Sequence, residues 1–250
     1  MESPHTTHPL LLKAKEFLAD LLFPRACVGC GSGHSYLCDA CLRAAPRKHE
    51  HRCPFCGSVI VPDGLTCLSC ASRHSLDGVF AAVAFREAFT VADAIHVLKY
   101  EYVPELALPL GRLLAEAAAK TDLPLPDLLL PVPLHPWRLR YRGFNQSTLI
   151  ARSFSESFMP ELPVPVREDL LVRHRFTLPQ AKSRGAKERK RNLHGAFSLQ
   201  KNSPAINKEF KGKTLWLVDD VATTGATLEE CAKVLKKSGA KKVFGIVVAR

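Results

Sequence analysis

The sequence predicts an α/β protein: a mostly parallel sheet with helices on both faces, preceded by a small metal-stapled region. Three observations carry this prediction. Short apolar runs alternate with amphipathic helical patterns along residues 77–250, as in parallel sheets buried on both sides. One run, Thr214-Leu215-Trp216-Leu217-Val218, stops at Asp219-Asp220 and a Thr/Gly loop that opens a helix. Eight of the nine cysteines fall between positions 27 and 70, as four Cys-x-x-Cys pairs.

Residues 1–24 read as an N-terminal amphipathic helix. Leu11, Leu18, Leu21 and Leu22 alternate there with Lys13, Lys15, Glu16 and Asp20. Those internal charges, with no small-residue cleavage site after them, argue against a signal peptide. No apolar run is long enough to cross a bilayer, so the expected location is the cytoplasm. The 46% hydrophobic and 24% charged content is that of a globular protein.

Residues 25–72 carry Cys27-x-x-Cys30, Cys38-x-x-Cys41, Cys53-x-x-Cys56 and Cys67-x-x-Cys70. A pair on a tight turn offers two thiolates to one metal, and two pairs complete a tetrahedral Zn²⁺ site. Regular spacing in a cytoplasmic chain favours zinc over disulfides. Two tandem sites are the preferred arrangement, one from Cys27, Cys30, Cys38 and Cys41, the other from Cys53, Cys56, Cys67 and Cys70. The spacing also admits a crossed arrangement. Four sulfurs leave no position for water, so both zinc ions are read as structural. Cys231 stands apart on a later helix and reads as a small core residue.

From residue 77 the expected strands are 79–85, 127–133, 214–218 and 243–249. The expected helices are 91–99, 106–120, 145–158 and 228–238, placed by helical spacing of their apolar residues. Residues 221–227, Val221-Ala222-Thr223-Thr224-Gly225-Ala226-Thr227, sit where α/β proteins hold phosphorylated ligands. Free N–H groups at a helix start attract phosphate, threonine hydroxyls add donors, and Gly225 lets the backbone come close. Asp219 and Asp220 would repel a phosphate if they faced it. Beside it they suit ribose hydroxyls or a hard cation such as Mg²⁺. Together these residues describe a ribose 5-phosphate site and resemble the signature for 5-phosphoribosyl-1-pyrophosphate (PRPP) in type I phosphoribosyltransferases.

Net charge is +11 with a pI near 9.3, unevenly distributed. Arg138, Arg140 and Arg142 crowd the expected loop 131–146. Arg173, Arg175, Lys182, Arg184, Lys187, Arg189, Lys190 and Arg191 crowd a second segment. Both suit a pyrophosphate or a nucleic-acid backbone, and the second also fits a solvated basic face. The loop 131–146 leaves a strand's carboxyl end, so it opens on the same sheet edge as the phosphate loop. Asn145 is a candidate cap for the next helix.

The cysteine pairs, Leu98-Lys99-Tyr100, Pro131-Val132-Pro133-Leu134, Arg142-Gly143-Phe144-Asn145-Gln146, Gln180, Arg189-x-x-Asn192-x-x-x-Ala196-Phe197 and the acidic loop together resemble the ComF family. That group of competence proteins, with its ComFC and GntX-like members, joins a double zinc ribbon to a phosphoribosyltransferase-like domain. The resemblance implies a type I phosphoribosyltransferase fold over residues 77–250 and a part in handling single-stranded DNA during natural transformation. It implies Asp219 and Asp220 on the ribose and Mg²⁺ of PRPP, and residues 221–227 on its 5-phosphate. Lys99, Arg138, Arg142, Asn145, Gln146, Arg189 and Asn192 would line the pyrophosphate or nucleic-acid loops. No residue identifies an acceptor, so catalysis is left open. An alternative is a non-catalytic accessory protein, binding single-stranded DNA and docking a DNA-uptake helicase or recombination partner through its zinc ribbons.

Overall fold

The computed structural model describes residues 25–176, 193–200 and 209–250. The expected N-terminal helix lies outside them, as do Gln180, Arg189, Asn192 and the basic residues between 182 and 191.

The strands are β1 (Gly78–Val83), β2 (Leu128–Pro131), β3 (Leu171–Arg173), β4 (Phe197–Leu199), β5 (Thr214–Val221) and β6 (Lys242–Ala249). The helices are α1 (Asp39–Ala44), α2 (Leu68–Ala71), α3 (Phe89–Tyr100), α4 (Ala107–Ala118), α5 (Pro136–Arg142), α6 (Gln146–Phe158) and α7 (Ala226–Lys237). Four strands form one sheet in the order β1-β6-β5-β2, and every neighbouring pair is parallel. Strands β3 and β4 pair antiparallel as a separate ribbon.

Side chains alternate across a strand, so each apolar run feeds both faces. On one face Leu129, Trp216, Val218 and Ile246 pack with Ile95 and Leu98 of α3, Leu110 and Leu114 of α4, and Ile150 and Phe154 of α6. On the other, Leu130, Leu215, Leu217 and Val247 pack with Leu228, Cys231 and Leu235 of α7 and with Leu171 and Phe197 of the small ribbon. Cys231 is a fully buried core residue.

Strand β1 is an edge strand, and unpaired edges invite association with other chains. The cysteine region covers it. Lys48 N–H donates to Ala82 O at 2.9 Å, and antiparallel bridges join Arg47 to Val83 and Leu65 to Gly78. Cys27, Leu37, Leu42 and Ala45 belong to the same buried cluster as Ile95 and Leu106. The first cysteine unit is thus continuous with the α/β core, whereas the second has a separate cluster of only Cys53, Val61 and Cys70.

Three sequence expectations change. The strand expected to stop at Val218 continues to Val221, because pairing to β6 carries on through Asp219↔Val247 and Val221↔Ala249. Polarity ends the apolar run there, and hydrogen bonding does not. The expected loop 131–146 contains helix α5, started by Pro136 at its first turn and capped by His135, whose Nδ1 accepts from Trp137 N–H at 3.2 Å. Arg138, Arg140 and Arg142 therefore stand on a helix. The helix expected from 228 starts at Ala226, with Gly225 as its cap in the left-handed region at φ 70°.

Candidate functional site

The carboxyl ends of β2 and β5, the end of α3, helix α5 and the start of α7 enclose a cleft of about 400 Å³. Lys99, Arg138, Arg142, Gln146, Arg173, Asp219, Asp220, Thr223 and Thr227 all line it. Residues far apart in sequence thus meet at the edge where parallel sheets bind ligands.

The two acids go to different partners. Asp220 is 3% exposed, and its Oδ2 forms an ion pair with Lys99 Nζ. Burial alone would raise its carboxyl, but the Lys99 charge together with hydrogen bonds from Asp219, Lys99 and the Val221 backbone outweighs burial and holds it below the usual carboxylate range. Burial likewise works against the Lys99 ammonium, and Asp220 more than compensates, so its pKa is raised. Asp219 accepts a 2.8 Å hydrogen bond from Ser147 Oγ and a 2.9 Å bond from Asp220 N–H. Burial, followed by the Asp220 charge, pushes Asp219 up.

The basic residues crowd one another. Arg173 is 8% exposed; burial, then the Arg138 charge, lowers its pKa. Burial, then Arg142, lowers Arg138. Like charges held this close favour an anion between them. Arg142 Nη1 donates to Gln146 Oε1, which orients both on the cleft wall. Asn145 is used differently. Its Oδ1 accepts from Ser147 N–H and its Nδ2 donates to Val132 O, each at 3.1 Å, so it caps α6 and ties that helix to the end of β2. Arg173 was missing from the residues assigned to the site by sequence. In sequence it is one of eight basic residues crowded in one segment, and the β3–β4 pairing sets its place in the fold.

Outside the cleft, helix α5 carries a ladder of rings. Trp137 and Tyr141 stack with centroids 5.7 Å apart and planes 2° from parallel. Tyr102 meets Tyr141 edge-on at 6.1 Å, and Phe176 meets Trp137 edge-on at 5.3 Å. All four rings are exposed, and Arg138 lies over Phe176 at 5.6 Å.

The cysteines form the two tandem groups, Cys27, Cys30, Cys38 and Cys41, and Cys53, Cys56, Cys67 and Cys70; within each, the sulfurs lie within 4.8 Å of one another. Gly31 and Gly57, at φ 73° and 66°, close the two turns, donating N–H to Cys27 O at 2.8 Å and Cys53 O at 3.0 Å. Burial opposes the Cys27 and Cys53 thiolates, but backbone N–H donors outweigh it and bring both down to about 6. Neighbouring sulfurs, Cys30 first, push Cys41 up to about 12; burial, then Cys67, does the same to Cys70. Four thiolates coexist in so small a volume only around a cation, and the donor set fits structural Zn²⁺.

Residues 18–73 match the model of the double zinc ribbon domain, and residues 154–250 match that of the phosphoribosyl transferase domain. The chain is 34% identical over 224 residues to the DNA utilization protein YhgH of Escherichia coli K12, covering 84% of this chain and 88% of that one. It is 32% identical over 213 residues to Competence protein F of Haemophilus influenzae, covering 83% and 87%. The chain belongs to the ComF family. A solved B. subtilis glutamine PRPP amidotransferase complexed with ADP and GMP overlaps 57% of this ComF chain and 26% of its own, at 17% identity and a TM-score of 0.35. An overlap that partial supports no inference about this chain. Among the described residues no helix is long and apolar enough to cross a membrane.

Proposed function

We propose that the cleft binds a 5-phosphoribosyl ligand of the PRPP class, and that this binding serves DNA handling in the cytoplasm. The observation that carries the reading is the convergence of the acid pair, the threonine loop and three arginines on one cleft. Residues 221–227 would seat the 5-phosphate at the start of α7, where N–H groups and the helix dipole favour an anion. Asp219 would accept from ribose hydroxyls. Arg138, Arg142 and Arg173 would hold the pyrophosphate, where negative charge grows if the glycosidic bond breaks. Within the described residues the protein's own donors do not fit a Mg²⁺ held by the protein, because Asp220 is already neutralised by Lys99. Magnesium is therefore assigned to the ligand's pyrophosphate alone. The names of the relatives support a role in DNA use. A calorimetric titration with PRPP should show saturable binding between about 1 μM and 1 mM, competed by ribose 5-phosphate and lost in Arg173→Ala. No heat at saturating PRPP would defeat the reading. Release of pyrophosphate with a candidate acceptor then separates an enzyme from a sensor.

A second reading rests on the ring ladder of α5. Exposed stacked aromatics interleaved with arginines suit the bases and phosphates of a single strand, with the zinc ribbons as a docking face for a helicase or recombination partner. Binding that weakens steeply with salt and drops in Trp137→Ala, with PRPP without effect, would favour it over the first reading.

A further inference from the structure

The adjacent carboxylates Asp219 and Asp220 read as one cation site in sequence. In the fold both line one cleft, but their polar partners differ. Asp220 is met by Lys99 of α3, while Asp219 accepts from Ser147 Oγ at the start of α6. A divalent ion needs several carboxylate or carbonyl oxygens aimed at one point. Here an ammonium already occupies the buried oxygen. The wall adds a second obstacle. Four basic side chains, Lys99, Arg138, Arg142 and Arg173, face the cleft against two carboxylates, Asp219 and Asp220. A dication entering this cleft meets an excess of positive charge, and a sugar phosphate meets its complement.

We infer that Lys99 is the resident counter-cation of this site, standing on Asp220 where a protein-bound metal would otherwise sit. Asp220 with Lys99 is then a neutral floor for the sugar, and the remaining arginines meet the phosphates. The inference deepens the phosphoribosyl reading and rests on it for the identity of the ligand. Metal exclusion by the ion pair does not depend on that ligand.

Two measurements test this, both on the full zinc-loaded chain. The first uses Mn²⁺ alone as the probe, read by water-proton relaxation without any sugar phosphate. Wild type and Asp220→Asn should give the same weak enhancement, because no site uses Asp220. Lys99→Met should gain a site, which Lys99→Met combined with Asp220→Asn loses again. A wild-type Mn²⁺ site that disappears in Asp220→Asn overturns the proposal, as does a folded Lys99→Met chain that gains none. The second needs no variant, in case Lys99→Met does not fold. Ribose 5-phosphate, which has no pyrophosphate to carry a metal, is titrated with and without Mg²⁺. Its Kd should move by less than about threefold, and a gain of about tenfold or more with Mg²⁺ overturns the proposal. If ribose 5-phosphate binds in neither condition, the phosphoribosyl reading fails and the relaxation result alone decides the role of Lys99.

Discussion

The two cysteine units look alike in sequence and are anchored differently in space. The first shares its buried side chains with the α/β domain: Cys27, Leu37, Leu42 and Ala45 sit in the cluster that also holds Ile95 and Leu110. The second has a private core of three buried residues. It reaches the domain through Phe55, stacked on His74 at 3.5 Å, through Arg250 Nη2 donating to Pro54 O at 3.0 Å, and through the edge of β1. One unit is a lobe of the main core, and the other depends on its metal, a few polar ties and the partly buried Phe55 and Leu65 that pack on the domain. So small an apolar core cannot offset the entropy of ordering its chain. The metal must do so.

The largest effect that would break this contrast comes from the second unit. Cys53→Ser with Cys70→Ser removes a site whose metal binding carries an apparent ~10–16 kcal/mol in isolated zinc modules. We expect zinc content to fall by one ion of two, the unit to unfold, and the chain to self-associate through the bared edge of β1. Metal analysis, a thermal melt and light scattering read the three. If the doubly substituted chain stays monomeric with an unchanged melt, the unit is not held as described.

Leu42→Ala tests the seam of the first unit. A fully packed leucine cut to alanine costs about 2–5 kcal/mol, and here the loss should lower the single denaturant transition of the whole chain. A separate early transition, with the main one unmoved, would make the first unit as independent as the second.

The third effect is electrostatic and sits in the domain alone. Asp219 has a raised folded-state pKa, so its contribution to stability is complete at acidic pH and is lost as pH rises through that raised value. Asp219→Asn stays neutral throughout. It should gain roughly 1 kcal/mol over wild type at about pH 9 and little at about pH 5, measured by thermal melts across that range.

The smallest effect on folding belongs to Trp137, 57% exposed on α5. Trp137→Ala should leave stability within about 0.5 kcal/mol while weakening single-strand binding by about 1–3 kcal/mol per stacked base. Fluorescence anisotropy with a labelled oligonucleotide distinguishes the two. Equal losses in fold and binding would assign the ladder to packing.

Much of this architecture was legible because buried parallel strands leave continuous apolar runs. Leu128-Leu129-Leu130 of β2 and Leu215-Trp216-Leu217-Val218 of the central strand β5 are such runs, and both are buried. Helix α5 was not legible, since none of its residues is buried and an uncovered helix carries no apolar stripe. Strands β3 and β4, three residues each, are too short to show alternation. In the cleft, the phosphate loop and acid pair stood out by their order, yet adjacency in sequence hid the different partners of the two acids. The partnership of Lys99 with Asp220 joins residues more than a hundred positions apart and leaves no local mark.

Helix α3 links the first cysteine site to the cleft. At its start, Thr90 lies so close to the first cysteine turn that a Cβ on Gly29 would fall 2.6 Å from its methyl and 2.9 Å from Cys41 Sγ. In its last turn it carries Lys99 onto Asp220. Twelve helical residues make a stiff strut of about 18 Å. Stripping the metal from the near end would let the strut tilt and drag the ammonium off its carboxylate, so zinc scarcity would be felt as a weakened grip on the sugar.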